Sequence, residues 1–409
     1  MIPIDWAPRV ADGRMLWDAN CTAPTSVGSR WGRRAAVANG YLGTHIDSGT
    51  LFIAGAFTGL GPNAGTNATG NASAPEVQRS HLARVPSALA VRVTAGRVEG
   101  CALDIERATF LRRTRLPTAV VTQSWYAHRS LKGLLVMELV VDAAMPTEVP
   151  LTVEQRDGSS RSRREVNGPP SADVDWHFGC NSTQLWCRAG STRVPDLPST
   201  PPTRIAYVST PIPPSLRAGA GKSSALFIGA ARSSHVTADP EGAAHALHAS
   251  AVATGMVALR TMHQEAWLAA WGEVRLEIDG DDFIRRSVNA TLYYLLSGHD
   301  DTCSTGYPVG MEGLVEGAFG HWGGAVLWDS DSWIYPSIAP WRPDFQACLL
   351  EYRRARLPQA RIISHQPSAI SHQPSVISHQ SSAVRYQLSV ISCPSSVTSH
   401  QPSVISHHA

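Results

Sequence analysis

The chain has 409 residues, a formal charge of +2 and 43% hydrophobic residues, enough for two or three units with cores of their own. Near-neutrality and the absence of a dense basic stripe argue against nucleic acid as a partner; the run Arg161–Arg164 reads as a solvated loop. No apolar run reaches membrane-spanning length, which argues against an integral membrane protein.

The first residues, MIPIDWAPRV, show neither the basic nor the apolar region of a leader, so a cytoplasmic location is expected. Against this, Asn20, Asn67, Asn71, Asn181 and Asn289 open N-x-S/T sequons, which matter only on the secretory path. Seven cysteines lie scattered, odd in number and without a C-x-x-C pair. They read as buried free thiols, not as a bridge framework or a zinc site.

From about residue 30 to 235 the pattern is β. Short alternating or β-branched runs recur (SALAVRVTAG, TAVVTQSWYAH, LLVMELVVDA, RIAYVST, SALFIGAA), separated by Gly, Pro, Asn and Ser clusters. This predicts an antiparallel β-sandwich with loops at Gly59–Glu76 and Arg156–Pro170. Near Glu241 the character changes to an Ala-rich, Pro-free stretch, predicted as one long helix. His263, Trp267 and Trp271 form one stripe on it, more consistent with a packing seam than with a binding face. Two further helices follow, DDFIRRSVNATLYYLLSGH and, opened by Pro343, DFQACLLEYRRARL. Strands followed by helices imply separate domains, not a βαβ weave.

Beyond Ile363 a seven-residue repeat built on ISHQPSV runs to Ala409. Pro367, Pro374, Pro394 and Pro402 forbid a continuous helix, so the tract reads as low complexity, the pattern of a translated tandem repeat. It holds six histidines and no Asp or Glu.

The stretch HWGGAVLWDSDSW, His321 to Trp333, sets Trp322, Trp328 and Trp333 around Asp329 and Asp331. By itself it is either packing or a surface that grips a polar ring. Together with NGYLGTHID (Asn39–Asp47), LDIERATFLRR (Leu103–Arg113), HQEAWLAAW with the following EIDGDD, and LLEYRRARLPQAR (Leu349–Arg361), it resembles glycoside hydrolase family 65, over roughly residues 30 to 361. NGYLG alone is a weak signal; the order and spacing of the pieces make the likeness specific.

The resemblance implies a β-sandwich over 1–240, a helical linker over 241–275 and the start of an (α/α)6 toroid over 276–361, with the repeat tail over 362–409. It places Trp328 and Asp329, and more weakly Asp331, at the sugar subsite holding the glucose that is cleaved off. The chemistry suits this: a pyranose has apolar faces and a rim of hydroxyls, matched by indole and carboxylate together. Trp322 and Trp333 are expected in the core. Asp329 and Asp331 are too close in sequence to serve as acid and base on opposite sides of a glycosidic bond. The family's general-acid Glu belongs to a later part of the toroid, so the resemblance implies a truncated, inactive chain with no catalytic residue of its own. The activity implied for a complete protein is inverting hydrolysis of the glucosyl-galactosyl-hydroxylysine of collagen. Alternatives are a disaccharide phosphorylase or a non-catalytic sugar-binding remnant. The expected partner is therefore a carbohydrate glycopeptide. No cofactor or metal is implied: metal-ligand spacing and phosphate-loop glycines are both absent.

Overall fold

Hydrogen bonding between β-branched runs sets the architecture. The computed structural model describes residues 2–18, 21, 35–46, 49–61, 79–153, 173–181, 185–195, 200–274, 276–300, 303, 308, 314 and 324–365. Its largest element is a nine-stranded sheet. The spatial order is Met15–Asp18, Arg97–Asp104, Thr109–Arg115, Ala119–Ala127, Leu134–Ala143, Gly221–Ser233, Arg204–Ser209, Trp186–Thr192 and Val174–Asn181, every neighbour antiparallel. Central strand Leu134–Ala143 is buried on nearly its whole length, its one buried charge, Glu138, bound by Tyr126 and Arg260. Thr109–Arg115 alternates buried and half-buried positions, as a strand with one wet face should.

A four-stranded sheet (Ala36–Ala38, Leu42–His45, Thr50–Ile53, Val85–Pro86) shares its core with the large one: Leu42, Leu51 and Val85 belong to the same apolar cluster as Val121, Trp125 and Met137. Smaller sheets pair Thr147–Val153 with Ser215–Ala218 and Val91–Val93, and Phe57–Gly61 with Arg79–Leu82. In this region Arg84 donates to Asp173 from Nε (2.7 Å) and Nη2 (2.9 Å), and His81 meets the same carboxylate at 3.2 Å. Burial alone would raise the Asp173 pKa; its bonds to Arg84 and His81 outweigh that and hold it below the usual range. With all three side chains sealed from solvent, this cluster is structural.

The helices are α1 (Ala7–Ala11), α2 (Pro240–Thr254), α3 (Met256–Val274), α4 (Asp282–Gly298), α5 (Tyr335–Ile338) and α6 (Pro343–His365). The long helix expected from Glu241 is in fact two, α2 and α3, bent by 104°. The break is at Gly255, whose φ of +78° only glycine adopts without strain. Asp239 caps α2 by accepting from the Gly242 N–H at 3.0 Å, and Asp281 caps α4 through the N–H groups of Phe283 and Ile284. No single helix among the described residues is long and apolar enough to cross a membrane. The chain divides into two compact units, Met1–Tyr352 and Arg353–Ala409; of the second, the structure describes only the end of α6.

For the six cysteines among the described residues, the free-thiol expectation is wrong. Cys21–Cys101, Cys180–Cys187 and Cys303–Cys348 are disulfides, with Cα atoms 5.3, 4.9 and 5.6 Å apart. The fold brings together cysteines that are 80, 7 and 45 residues apart, a proximity that spacing alone does not reveal. Disulfides persist in oxidising surroundings, the same setting in which the sequons would matter. Cys393, Trp322, Gly323 and the loop Arg156–Pro170 lie outside the described residues, as does most of Gly59–Glu76.

Candidate functional site

Three of the motif pieces form the joint between sheet and helices. Asn39 is buried, donates to the His128 carbonyl (2.8 Å) and accepts from the N–H groups of Tyr41 (3.1 Å) and Leu42 (2.8 Å). Gly40 sits at φ +81°, donates its N–H to the Ser297 carbonyl at 2.8 Å, and a Cβ there would fall 2.1 Å from the His299 backbone. Lys132 ties the same corner, donating to the Asn39 carbonyl (2.9 Å) and pairing with Asp300 (3.2 Å).

The stripe on α3 is the packing seam its spacing suggests. His263 and Trp267 are wholly buried, and the Trp271 indole N–H donates to the Ile105 carbonyl at 3.1 Å. His263 Nδ1 accepts the Arg129 N–H (3.2 Å), which leaves Nε2–H to donate to the Arg107 carbonyl (2.8 Å). That arrangement fixes a neutral ring. Burial, helped by the nearby His128 and Arg129, pushes the His263 pKa down to about 3; burial takes His128 to about 4. The Arg129 guanidinium lies 4.8 Å over the Trp267 ring and donates to the Leu296 carbonyl at 2.6 Å. These are joints, closed to any ligand.

The tryptophan–aspartate segment is built differently. Gly324 turns the chain at φ +76°. A helical turn then begins at Trp328 and passes through a π-turn, Ser330–Ile334, into α5. The Tyr335 N–H donates back five residues to the Ser330 carbonyl. The wider turn leaves Ser330, Tyr335 and Ile338 all buried, although Ser330 and Tyr335 are five residues apart. What holds that side is aromatic. The His299 ring, just beyond the end of α4, meets Tyr335 edge-on at 5.1 Å and stacks on Phe345 of α6 at 4.2 Å. Arg342 covers Phe345 at 4.0 Å and binds Asp344 (2.9 Å) and Glu273 at the end of α3 (3.5 Å).

The opposite side faces water. Trp328 is 52% exposed, Trp333 66% and Trp341 38%. The expectation that Trp333 belongs to the core is therefore wrong: the π-turn rotates it to the outer face. Asp329 and Asp331 are both half-buried and flank the sealed Ser330. Asp329 starts the π-turn with helical backbone and makes no side-chain capping bond. So the structure brings Trp328, Asp329 and Asp331 into one short turn beside an exposed Trp333. Exposed indoles next to carboxylates are what a surface for polar rings requires. The supporting residues Ser330, Tyr335, His299 and Phe345 were not foreseen. The one signal for them is the five-residue step from Ser330 to Tyr335, which a 3.6-residue period hides.

Comparison with known proteins bears out the resemblance drawn from the motifs. The chain is 28% identical to the protein-glucosylgalactosylhydroxylysine glucosidase of Mus musculus over 333 residues, covering 78% of this chain and 44% of that protein. It is 27% identical to the protein of the same name from Dictyostelium discoideum over 371 residues, 87% of this chain and 47% of that one. The chain thus spans just under half the length of these relatives. Among solved structures, one assigned as a kojibiose phosphorylase from the human microbiome superposes with a TM-score of 0.63 at 12% identity, over 86% of this chain and 50% of that one, a likeness of fold. No family model matches the chain.

Proposed function

We propose that this chain carries the glucose-holding part of a glycosidase of the protein-glucosylgalactosylhydroxylysine glucosidase kind, acting on an α-glucosidic bond such as that of glucosyl-galactosyl-hydroxylysine. The observation that carries this reading is the water-facing Trp328 beside the half-buried Asp329, on a turn whose buried side packs on His299. Trp328 would stack on the apolar face of the terminal glucose and Asp329 would accept from its hydroxyls, with Asp331 contributing less. The architecture that goes with this reading is an antiparallel β-sandwich over 1–240, a linker over 241–275 and the opening helices of an (α/α)6 domain over 276–361.

The reaction of this class is a single displacement, in which water attacks the anomeric carbon while a carboxylic acid protonates the departing oxygen, inverting the centre. Asp329 and Asp331 do not supply that acid and base. Two residues on one turn lie on one side of a sugar, whereas an inverting pair stands roughly 6.5–9.5 Å apart across the bond. The reading assigns both to sugar holding and places the proton donor outside this turn. If inorganic phosphate replaced water, the protein would be a phosphorylase; the glucosidase names of the sequence relatives favour water. The test is titration of the chain with glucose and with the glucosyl-galactosyl-hydroxylysine glycopeptide, following tryptophan fluorescence. A saturable change that Trp328→Ala abolishes supports the reading; no change in the unaltered chain removes it.

A further inference from the structure

We propose that Cys303 and Cys348 are positioning residues: their disulfide is the clasp that holds the sugar-facing turn, so the candidate site is complete only in the oxidised chain. The proposal rests on the sugar-holding reading for what the turn does, but not for how the turn is held.

Three bridges account for all six cysteines among the described residues, and they differ in what they enclose. Cys180–Cys187 joins directly opposed residues of one hairpin, and Cys21–Cys101 fastens the N-terminal segment to the sheet. Cys303–Cys348 closes a span of 45 residues that contains the whole turn from Val326 to Ile338. Its two ends also lie at the turn's own anchor. Cys303 follows α4 just after His299, with its N–H donating to the Asp300 carbonyl at 3.0 Å. Cys348 is buried on α6 one helical turn from Phe345, the residue on which His299 stacks. The bridge and the His299–Phe345–Tyr335 stack therefore close the same junction.

The backbone adds a second, independent observation. Cys303 holds φ at +48°, a left-handed conformation that a residue with a side chain rarely adopts. Such strain persists where surrounding structure enforces it. Trp328 and Trp333 are 52% and 66% exposed, so much of their surface is turned to water and covalent closure adds to the packing that holds the turn. Formation is an exchange: the two thiols give up two protons and two electrons to an oxidoreductase disulfide, which leaves as a dithiol.

The experiment compares the full chain, its Cys303→Ala/Cys348→Ala variant and, as control, Cys180→Ala/Cys187→Ala, by mass analysis after alkylation without reduction and by hydrogen exchange. Cys303 and Cys348 of the unaltered chain should resist iodoacetamide. Exchange across 324–340 should quicken at least tenfold in the first variant and not in the control, while strands Ala119–Ala127 and Leu134–Ala143 stay protected in both. Should the first variant fail to keep those strands, mild phosphine reduction of the unaltered chain gives the same readout. Labelling of Cys303 and Cys348 in the native chain, or unchanged exchange over 324–340 once the bridge is gone, would overturn the proposal. A chain that binds no glucose in any form defeats the sugar-holding reading alone, since the exchange result still decides the clasp.

Discussion

Two regions rich in aromatic and titratable side chains show opposite designs. At the joint, Tyr126, His128, His263 and Trp267 are stripped of solvent, and the two histidine rings lie 5.7 Å apart with their charge suppressed. In the tryptophan–aspartate turn, Trp328 and Trp333 face water, with Asp329 and Asp331 half-buried beside them. Both regions contribute pieces of the resemblance, yet only the second offers a ligand anything to touch. Shared motifs thus mark two kinds of necessity, the geometry of a joint and the chemistry of a surface.

The largest expected effect falls on the joint. Gly40→Ala places a methyl group against the His299 backbone at a positive φ, and neither side can yield cheaply. We expect a loss of at least ~3 kcal/mol in urea unfolding. A neutral result would mean that the corner at Ser297–Asp300 is not the joint described.

Next comes acidity. The His263 and His128 pKa values lie at about 3 and about 4, below the ordinary 6.5, so the folded chain binds fewer protons than the unfolded chain between those limits. Their contribution to stability is complete above pH 6.5 and is lost as the pH falls towards 4 and then 3. Thermal unfolding should show the melting temperature dropping over that window, and His263→Gln should flatten the drop. An equally steep profile in the variant would place the acid sensitivity elsewhere.

The strands were largely legible because β-branched runs such as LLVMELVVDA declare themselves: the observed strand covers Leu134–Ala143. The segment DDFIRRSVNATLYYLLSGH was legible as a helix and α4 fills it from Asp282 to Gly298, whereas the Asp281 cap is seen only in the structure. Hidden features arose where tertiary geometry overrode local pattern. Gly255 reads as a tolerated glycine in an Ala-rich helix until its φ is seen, and no spacing rule pairs Cys303 with Cys348. At the candidate site, Trp328 and Asp329 came from the resemblance, and Trp333 was misplaced because the π-turn shifts it off the helical repeat to the exposed side.

The smallest expected effect is on the turn's outer face. Trp328→Ala should change unfolding free energy by no more than about 0.5 kcal/mol, as surface substitutions do. A large loss would show that the indole is structural and erase the contrast with Trp267.

The most direct measurement is the affinity of the Asp329→Asn protein for the glucosyl-galactosyl-hydroxylysine glycopeptide beside that of the unaltered chain. Losing one charge-assisted hydrogen bond of about 1.5–3 kcal/mol predicts binding weaker by roughly 10- to 100-fold with folding unchanged. Equal affinity in the two proteins would contradict the account.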